Sequence, residues 1–256
     1  MGEAPSLWTW VCLAPVSDLT LPSAANMLRS KRLSKATCLE ARVVSTELLE
    51  AIGDHPGLRG LDIGYTTCNL SAFPAPLLVH ALISGLQSVD MRKTGMTIGQ
   101  VDALFKAIAK GGFKLKRLNL SWITSIASLN SELVSNAIIL LERIDLGFIQ
   151  LTRDQTLALF EALKNGTSPL KRLNVSQSDL AHLDPNLLAE VVVVLEEIGL
   201  ENTKLQNPQL TTLCQMIGKC HGNLKSIELG ANNLSLVEPA LLARALTRLD
   251  GVNITH

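Results

Sequence analysis

The chain has 256 residues, 47% of them hydrophobic, which is enough for a large core and for one or two ordinary domains. Its 23 basic and 23 acidic residues cancel, so no global charge draws it to nucleic acid or to an anionic membrane. Apolar runs such as "NAIILLERI" and "EVVVVLEEI" fall far short of the roughly 20 residues a bilayer helix needs.

The N-terminal "SLWTWVCLAPV" has no Lys or Arg before it, so it does not read as a secretion signal. It opens instead a phrase, L-x-x-L-x-L, that recurs to the end of the chain. Units begin at Leu7, Ser34, Leu58, Leu86, Leu115, Leu141, Leu170, Leu195, Leu224 and Leu249, at spacings of 24 to 29 residues. The fourth positions run Trp10, Thr37, Leu61, Val89, Leu118, Ile144, Leu173, Ile198, Ile227 and Val252. The sixth run Cys12, Leu39, Ile63, Met91, Leu120, Leu146, Val175, Leu200, Leu229 and Ile254. The first units, 1–57, are irregular, because Ser34 and Thr37 break the pattern; residues 58–256 are regular. A fixed period of this length signals a solenoid.

Each phrase is short and alternates apolar with polar residues, which predicts a strand. A helical pattern follows each. In "TRDQTLALFEALKNG", Thr152 is the expected N-cap and Gly166 the stop. "LDPNLLAEVVVVL" opens with Asp184 and Pro185, and "VEPALLARALTRL" with Glu238, a poorer cap, and Pro239. Helices ending in a glycine-bearing loop ("KAIAKGGFK", "EALKNGTSP", "MIGKCHGN") alternate with helices that run straight into the next strand. The full sequence repeat is therefore a pair of units, 54 to 57 residues long. One strand–helix unit cannot bury both its apolar faces alone; stacking joins them into one core. Strands lie about 4.8 Å apart and helices roughly 10 Å, so such a stack is expected to curve, with strands inside.

The phrase resembles the leucine-rich repeat, most closely at "LKSIELGANNL", which carries the repeat's Asn as Asn232. Long helices and paired units are similar to the ribonuclease-inhibitor subclass, also found in the recognition arms of NOD-like immune sensors. The resemblance implies an α/β horseshoe over residues 1–256, a single domain of about ten units with parallel strands on the concave face and helices on the convex face. At the Asn position the other units carry Pro15, Arg42, Thr66, Thr94, Ile123, Ile149, Ser178 and Thr203. Ile cannot bond neighbouring backbone as that Asn does, so looser or reshaped loops are expected near Ile123 and Ile149.

Nothing in the sequence carries catalysis, and no cofactor is expected. The histidines are scattered and read as solvated loop residues. "CQMIGKCH" offers Cys214, Cys220 and His221 but no fourth ligand for zinc. "AKGGFK" lacks the phosphate-loop spacing. Five widely spaced cysteines argue against a disulfide framework and for a reducing, cytoplasmic setting. The six N-x-Ser/Thr sequons fall mostly in or beside the repeat phrase, where composition alone produces them.

What remains is surface. With the fourth and sixth residues inward, the third, fifth and seventh face the strand side. Arg117, Arg143 and Arg172 share the third rung, while Asp90, Asn119, Asp145 and Asn174 share the fifth, with Arg92 just beyond. Trp122 and Phe148 stand at the strand exits, with Tyr65 further along. Arg and large aromatics are what binding hot spots favour; the competing reading is a solvated ladder in which the arginines pair with Asp145 and nearby carboxylates. The expected function is a protein-binding scaffold, the recognition arm of an intracellular sensor or adaptor, its three arginines facing an acidic patch. Alternatives are a soluble enzyme inhibitor and a self-assembling structural solenoid. Nucleic-acid binding is disfavoured by the neutral charge and the absence of a stacking-aromatic series. The chain starts and stops near strand phrases without polar caps, so a longer parent array or edge-to-edge association is expected.

Overall fold

In the computed structural model the described residues are 10–13, 25–26, 28–29, 36–41, 43–65, 69–219 and 222–254. The chain divides into two compact units, Met1–Asn119 and Leu120–His256. In the first, β1 (Trp10–Leu13), β2 (Cys38–Ala41), β3 (Gly60–Asp62), β4 (Ser88–Asp90) and β5 (Arg117–Asn119) pair in parallel in sequence order. Helices α1 (Thr46–Gly53), α2 (Ala75–Ile83) and α3 (Ile98–Ala109) lie between them in the chain, each packed on the next. The second unit repeats the scheme. Its strands are β6 (Arg143–Asp145), β7 (Arg172–Asn174), β8 (Glu197–Gly199), β9 (Ser226–Glu228) and β10 (Gly251–Asn253), again parallel neighbours. Its helices are α4 (Ser131–Ile138), α5 (Arg153–Asn165), α6 (Pro185–Val194), α7 (Asn207–Lys219) and α8 (Pro239–Leu246).

The register confirms the repeat frame from residue 58 onward. Leu61, Val89 and Leu118 stand opposite one another in the first unit, as do Ile144, Leu173, Ile198, Ile227 and Val252 in the second. Leu118, Ile144, Leu173 and Ile198 are buried, and so are the sixth-position Leu120, Leu146, Val175 and Leu200. Each such side chain contributes roughly 1.5–3 kcal/mol. The residues between them mostly reach solvent, giving β4, β5, β6, β7 and β9 one buried and one open face; on β10 Val252 is 37% exposed.

The frame of the early units differs from the expectation. Leu39, not Thr37, stands opposite Leu61, and Val11, not Trp10, opposite Leu39. The second repeat therefore reads Ala36-x-x-Leu39-x-Ala41, with all three residues buried. Small alanines fill two of the three inward positions there, which is why a leucine template slides off.

The helix starts follow local chemistry. Thr97 and Thr152 each form a capping box with the glutamine three residues on. Asp184 caps α6 ahead of Pro185, whereas Glu238 makes no side-chain cap bond. Gly166 ends α5, and α3 is followed by Gly111 and Gly112 at φ of 72° and 81°, a left-handed turn that side-chain-bearing residues resist.

The capping glutamines do a second job. The Gln100 amide donates to the Leu70 and Phe73 carbonyls at 2.8 and 2.6 Å. The Gln155 amide donates to Ile126 and Leu129, both at 2.9 Å, and the Gln209 amide to Leu180 and Leu183, both at 2.8 Å. Each of these oxygens accepts an N–H at its own helix start, from Thr97, Thr152 or Gln206. All three side chains are buried. In the three alternate repeats that carry them, the glutamines thus bolt a helix start to the turn of the repeat before it, each giving a donor to the Phe73, Leu129 or Leu183 carbonyl and a second donor to the Leu70, Ile126 or Leu180 carbonyl, which also accepts a backbone N–H.

The Asn position works differently along the chain. Asn232 donates to the Leu200 and Leu229 carbonyls and accepts from the Leu205 N–H. Thr94 and Thr203 donate to the carbonyl three residues back, and Ser178 accepts from the Leu151 N–H. Thr66 lies outside the described residues. The loosened loops expected at Ile123 and Ile149 are absent: both side chains are 2% exposed, and the backbone before each makes the same left-handed bend as in the other units. Backbone bonds hold these bends, Trp122 N–H to Gly147 and Phe148 N–H to Ser176, while the isoleucines fill the space by packing.

Candidate functional site

At the exits of β3 to β9 the eighth residue of the repeat adopts positive φ: Tyr65, Lys93, Trp122, Phe148, Gln177, Asn202 and Ala231, all between 50° and 70°. In four repeats the fifth residue braces the bend. The carboxylate or amide oxygens of Asp62, Asp90, Asp145 and Asn174 each accept the N–H two residues on, at 2.9 to 3.1 Å. Left-handed backbone is costly for bulky side chains. Even so, the row holds a tyrosine, a tryptophan and a phenylalanine.

In the second unit the Trp122 and Phe148 rings stack with centroids 4.2 Å apart and planes 8° from parallel. They remain 47% and 38% exposed. The sequence placed them side by side, and the structure stacks them without drawing them into the core. Arg143 and Arg172 lie directly opposite in register on β6 and β7. They do not pair with Asp145, whose oxygen is engaged by the Gly147 N–H. Both converge on Glu197 of β8, Arg172 at 2.9 Å and Arg143 at 3.9 Å. Asn174 stands between them and the turn, accepting from the Ser176 N–H. Its amide lies against Gly199, where an added Cβ would come 2.4 Å from the Asn174 oxygen.

In the first unit Arg92 grips Asp90 with two nitrogens, at 2.7 and 3.1 Å, and lies over the Tyr65 ring at 5.3 Å. Lys93 approaches the same ring at 5.7 Å. Asn119 donates to the other side of Asp90 at 3.1 Å, and Arg117 stands opposite Ser88 in register. Burial pushes the Asp90 carboxyl up from the ordinary aspartate value; the backbone N–H and guanidinium of Arg92 pull against this, and Asp62 adds repulsion. Burial likewise works against the Arg92 charge, but Asp90 outweighs it and holds that guanidinium firmly protonated.

Of the predicted residues, then, Asp90, Arg92, Arg117 and Asn119 belong to the first unit and Trp122, Arg143, Asp145, Phe148, Arg172 and Asn174 to the second. Two the sequence reading did not place at the site are Glu197, which gathers the arginines, and Gly199, which makes room for Asn174. The signal for both was their third and fifth place on β8.

The histidines are more structural than expected. His55 is buried, its Nδ1 accepting from the Gly57 and Leu58 N–H groups. His80 meets Asp54 at 3.3 Å, and His182 lies 3.2 Å from the Thr156 hydroxyl. Cys214 is a buried helix residue, and Cys220 and His221 lie outside the described residues. Among the described residues no His, Cys, Asp or Glu cluster could hold a metal ion, and no helix is long and apolar enough to cross a membrane.

No protein-family model and no curated protein matches the sequence. Solved structures do. The leucine-rich repeat-containing protein LegL7 from Legionella pneumophila aligns over 95% of this chain and 89% of its own, with TM-score 0.58 and 15% identity. A structure of the Drosophila Toll–Spätzle complex aligns over 88% of this chain and 33% of its own, with TM-score 0.48 and 18% identity. With the parallel ladders and repeat frame above, the LegL7 likeness shows the fold: a leucine-rich repeat solenoid of the α/β kind.

Proposed function

We propose, from the leucine-rich repeat fold of both units, that the chain is a non-enzymatic scaffold that binds a protein partner on the open face of its strands. One observation carries the reading. Trp122 and Phe148 are stacked and exposed at backbone positions where a small or flexible residue would cost less. Strain at a surface aromatic pair with no core to fill is best explained by a ligand. Arg143, Arg172 and Asn174 in the same unit supply polar contacts around it, and Asp90, Arg92, Arg117 and Asn119 extend the polar surface in the first. The recognition part of an intracellular sensor or adaptor is the role this surface suits, acting through all ten repeats as one domain. A cytoplasmic setting fits the buried free thiols of Cys38 and Cys214.

Quantitative affinity capture tests the proposal, with wild type and Arg143→Ala compared side by side. The partner that wild type retains is expected to be lost from the variant, and its full retention on both would remove Arg143 from the site.

A further inference from the structure

The open face of the second unit is ordered by charge, and this order specifies a partner more closely than its arginines do. In the third, fifth and seventh rows, β6 and β7 present Arg143 and Arg172 against one carboxylate, Asp145. On the same rows β8, β9 and the turn after β8 present Glu197, Glu201 and Glu228 and no cation. Glu197 is shared by both arginines. Glu201 and Glu228 have no ion-pair partner among the described residues, though both are half-buried. Between the two fields no large side chain rises: Asn174 lies flat over Gly199, and Ser176 beside it is buried and small.

Strand spacing sets the scale. Two strand steps separate the middle of the basic pair from the middle of Glu201 and Glu228 sideways, about 10 Å, and these carboxylates also lie about three residues further along their strands, so the separation is about 14 Å on the diagonal. An α-helix covers that distance in two to three turns. The aromatic stack sits on the basic side, because Phe148 directly follows β6.

We infer that the partner segment is a helix lying across the strands. It runs obliquely and sets an apolar side chain on the Trp122–Phe148 stack, an acidic one over Arg143 and Arg172, and a basic one two to three turns later over Glu201 and Glu228. The inference rests on the binding role proposed above and adds a basic residue to the acidic patch expected opposite the arginines. Like charges brought onto either half of the face would be repelled, so the order of the helix's charges selects its direction as well as its identity.

Panning a displayed library of randomised helical peptides on the wild-type chain tests this. Enriched peptides should carry an acidic and a basic residue about seven to eleven positions apart, with an aromatic or aliphatic residue on the acidic side. R143E/R172E and E201K/E228K should each weaken a selected peptide at least tenfold, and the fourfold charge-swapped chain should prefer the same peptide with its two charges exchanged. W122A/F148A separates the two readings. Peptides that lose binding to W122A/F148A but ignore both charge reversals overturn the charge order and leave the binding face standing. Peptides that ignore all of these variants, or a library that enriches nothing, overturn both.

Discussion

The side-chain amide of Gln155 and the main-chain carbonyl of Leu129, 26 residues apart, are joined by a buried hydrogen bond of 2.9 Å. The same amide holds Ile126, and its oxygen holds the Thr152 N–H, so one side chain satisfies three backbone groups. Replacing Gln155 by Ala strips the Leu129 carbonyl and the Thr152 N–H of this partner in a dry site, while the Ile126 carbonyl keeps the Leu129 N–H, and a loss of about 2–4 kcal/mol is expected in urea unfolding. Gln155→Glu is the sharper probe. A carboxylate faces two carbonyls and cannot donate, so the native state binds the proton more tightly than the unfolded chain does. Stability of that variant should be greatest at acid pH and fall as pH rises through the carboxyl's raised native pKa. A flat pH profile, or a Gln155→Ala loss below about 0.5 kcal/mol, would remove the clamp from the account.

Phe148 should behave as a site residue rather than a core residue. Phe148→Gly relieves left-handed strain of about 1–2 kcal/mol and forfeits stacking of about 0.5–1.5 kcal/mol. Stability should stay within about 1 kcal/mol of wild type while partner capture is lost. A drop of about 3 kcal/mol or more would mean that the ring is structural.

Gly199 and Asn174 should prove coupled. A methyl at Gly199 would collide with the Asn174 oxygen and disturb its bond to the Ser176 N–H. Gly199→Ala is expected to cost about 1–3 kcal/mol, and clearly less when Asn174 is already Gly. Additive effects in that double-mutant cycle would rule the contact out.

Asp90 offers a pH test. Its carboxyl is raised by burial above the ordinary 3.8, so the stability it contributes is present below that value and lost as pH climbs through its native pKa. Asp90→Asn keeps an oxygen for the Arg92 N–H and should flatten that part of the pH–stability curve, with neutral-pH stability equal or higher. An unchanged slope would contradict the assignment.

Cys214, its thiol pushed up to about 11 by burial, should resist maleimide at pH 8 in the folded chain and react only on unfolding. Peptide mapping of the labelled protein reads this directly; fast native labelling would contradict the burial.

How far the sequence carried can be seen in single residues. From Leu58 onward one bulky apolar residue occupies nearly every inward position, and strands, frame and cap residues all followed from it. At Ala36 and Ala41 the inward residues are too small to stand out, and the frame slipped. The glutamine clamps were visible as a Gln three residues after a helix start at intervals of 55 and 54 residues, yet an alignment built on leucines passes over them. The aromatic pair was legible because consecutive repeats place the same position side by side. The arginines' partner was not, because Asp145 and Glu197 are equally plausible until the turn at Gly147 is seen to engage Asp145.

Amide hydrogen exchange on the chain with and without its captured partner tests the central claim most directly. Protection is expected in the strand exits and turns around Trp122, Phe148 and Gln177 and along β6 to β9, with the exposed backs of α5 to α7 unchanged. Protection confined to those helices, with the strand exits exchanging as in the free chain, would contradict a binding site on the strand face.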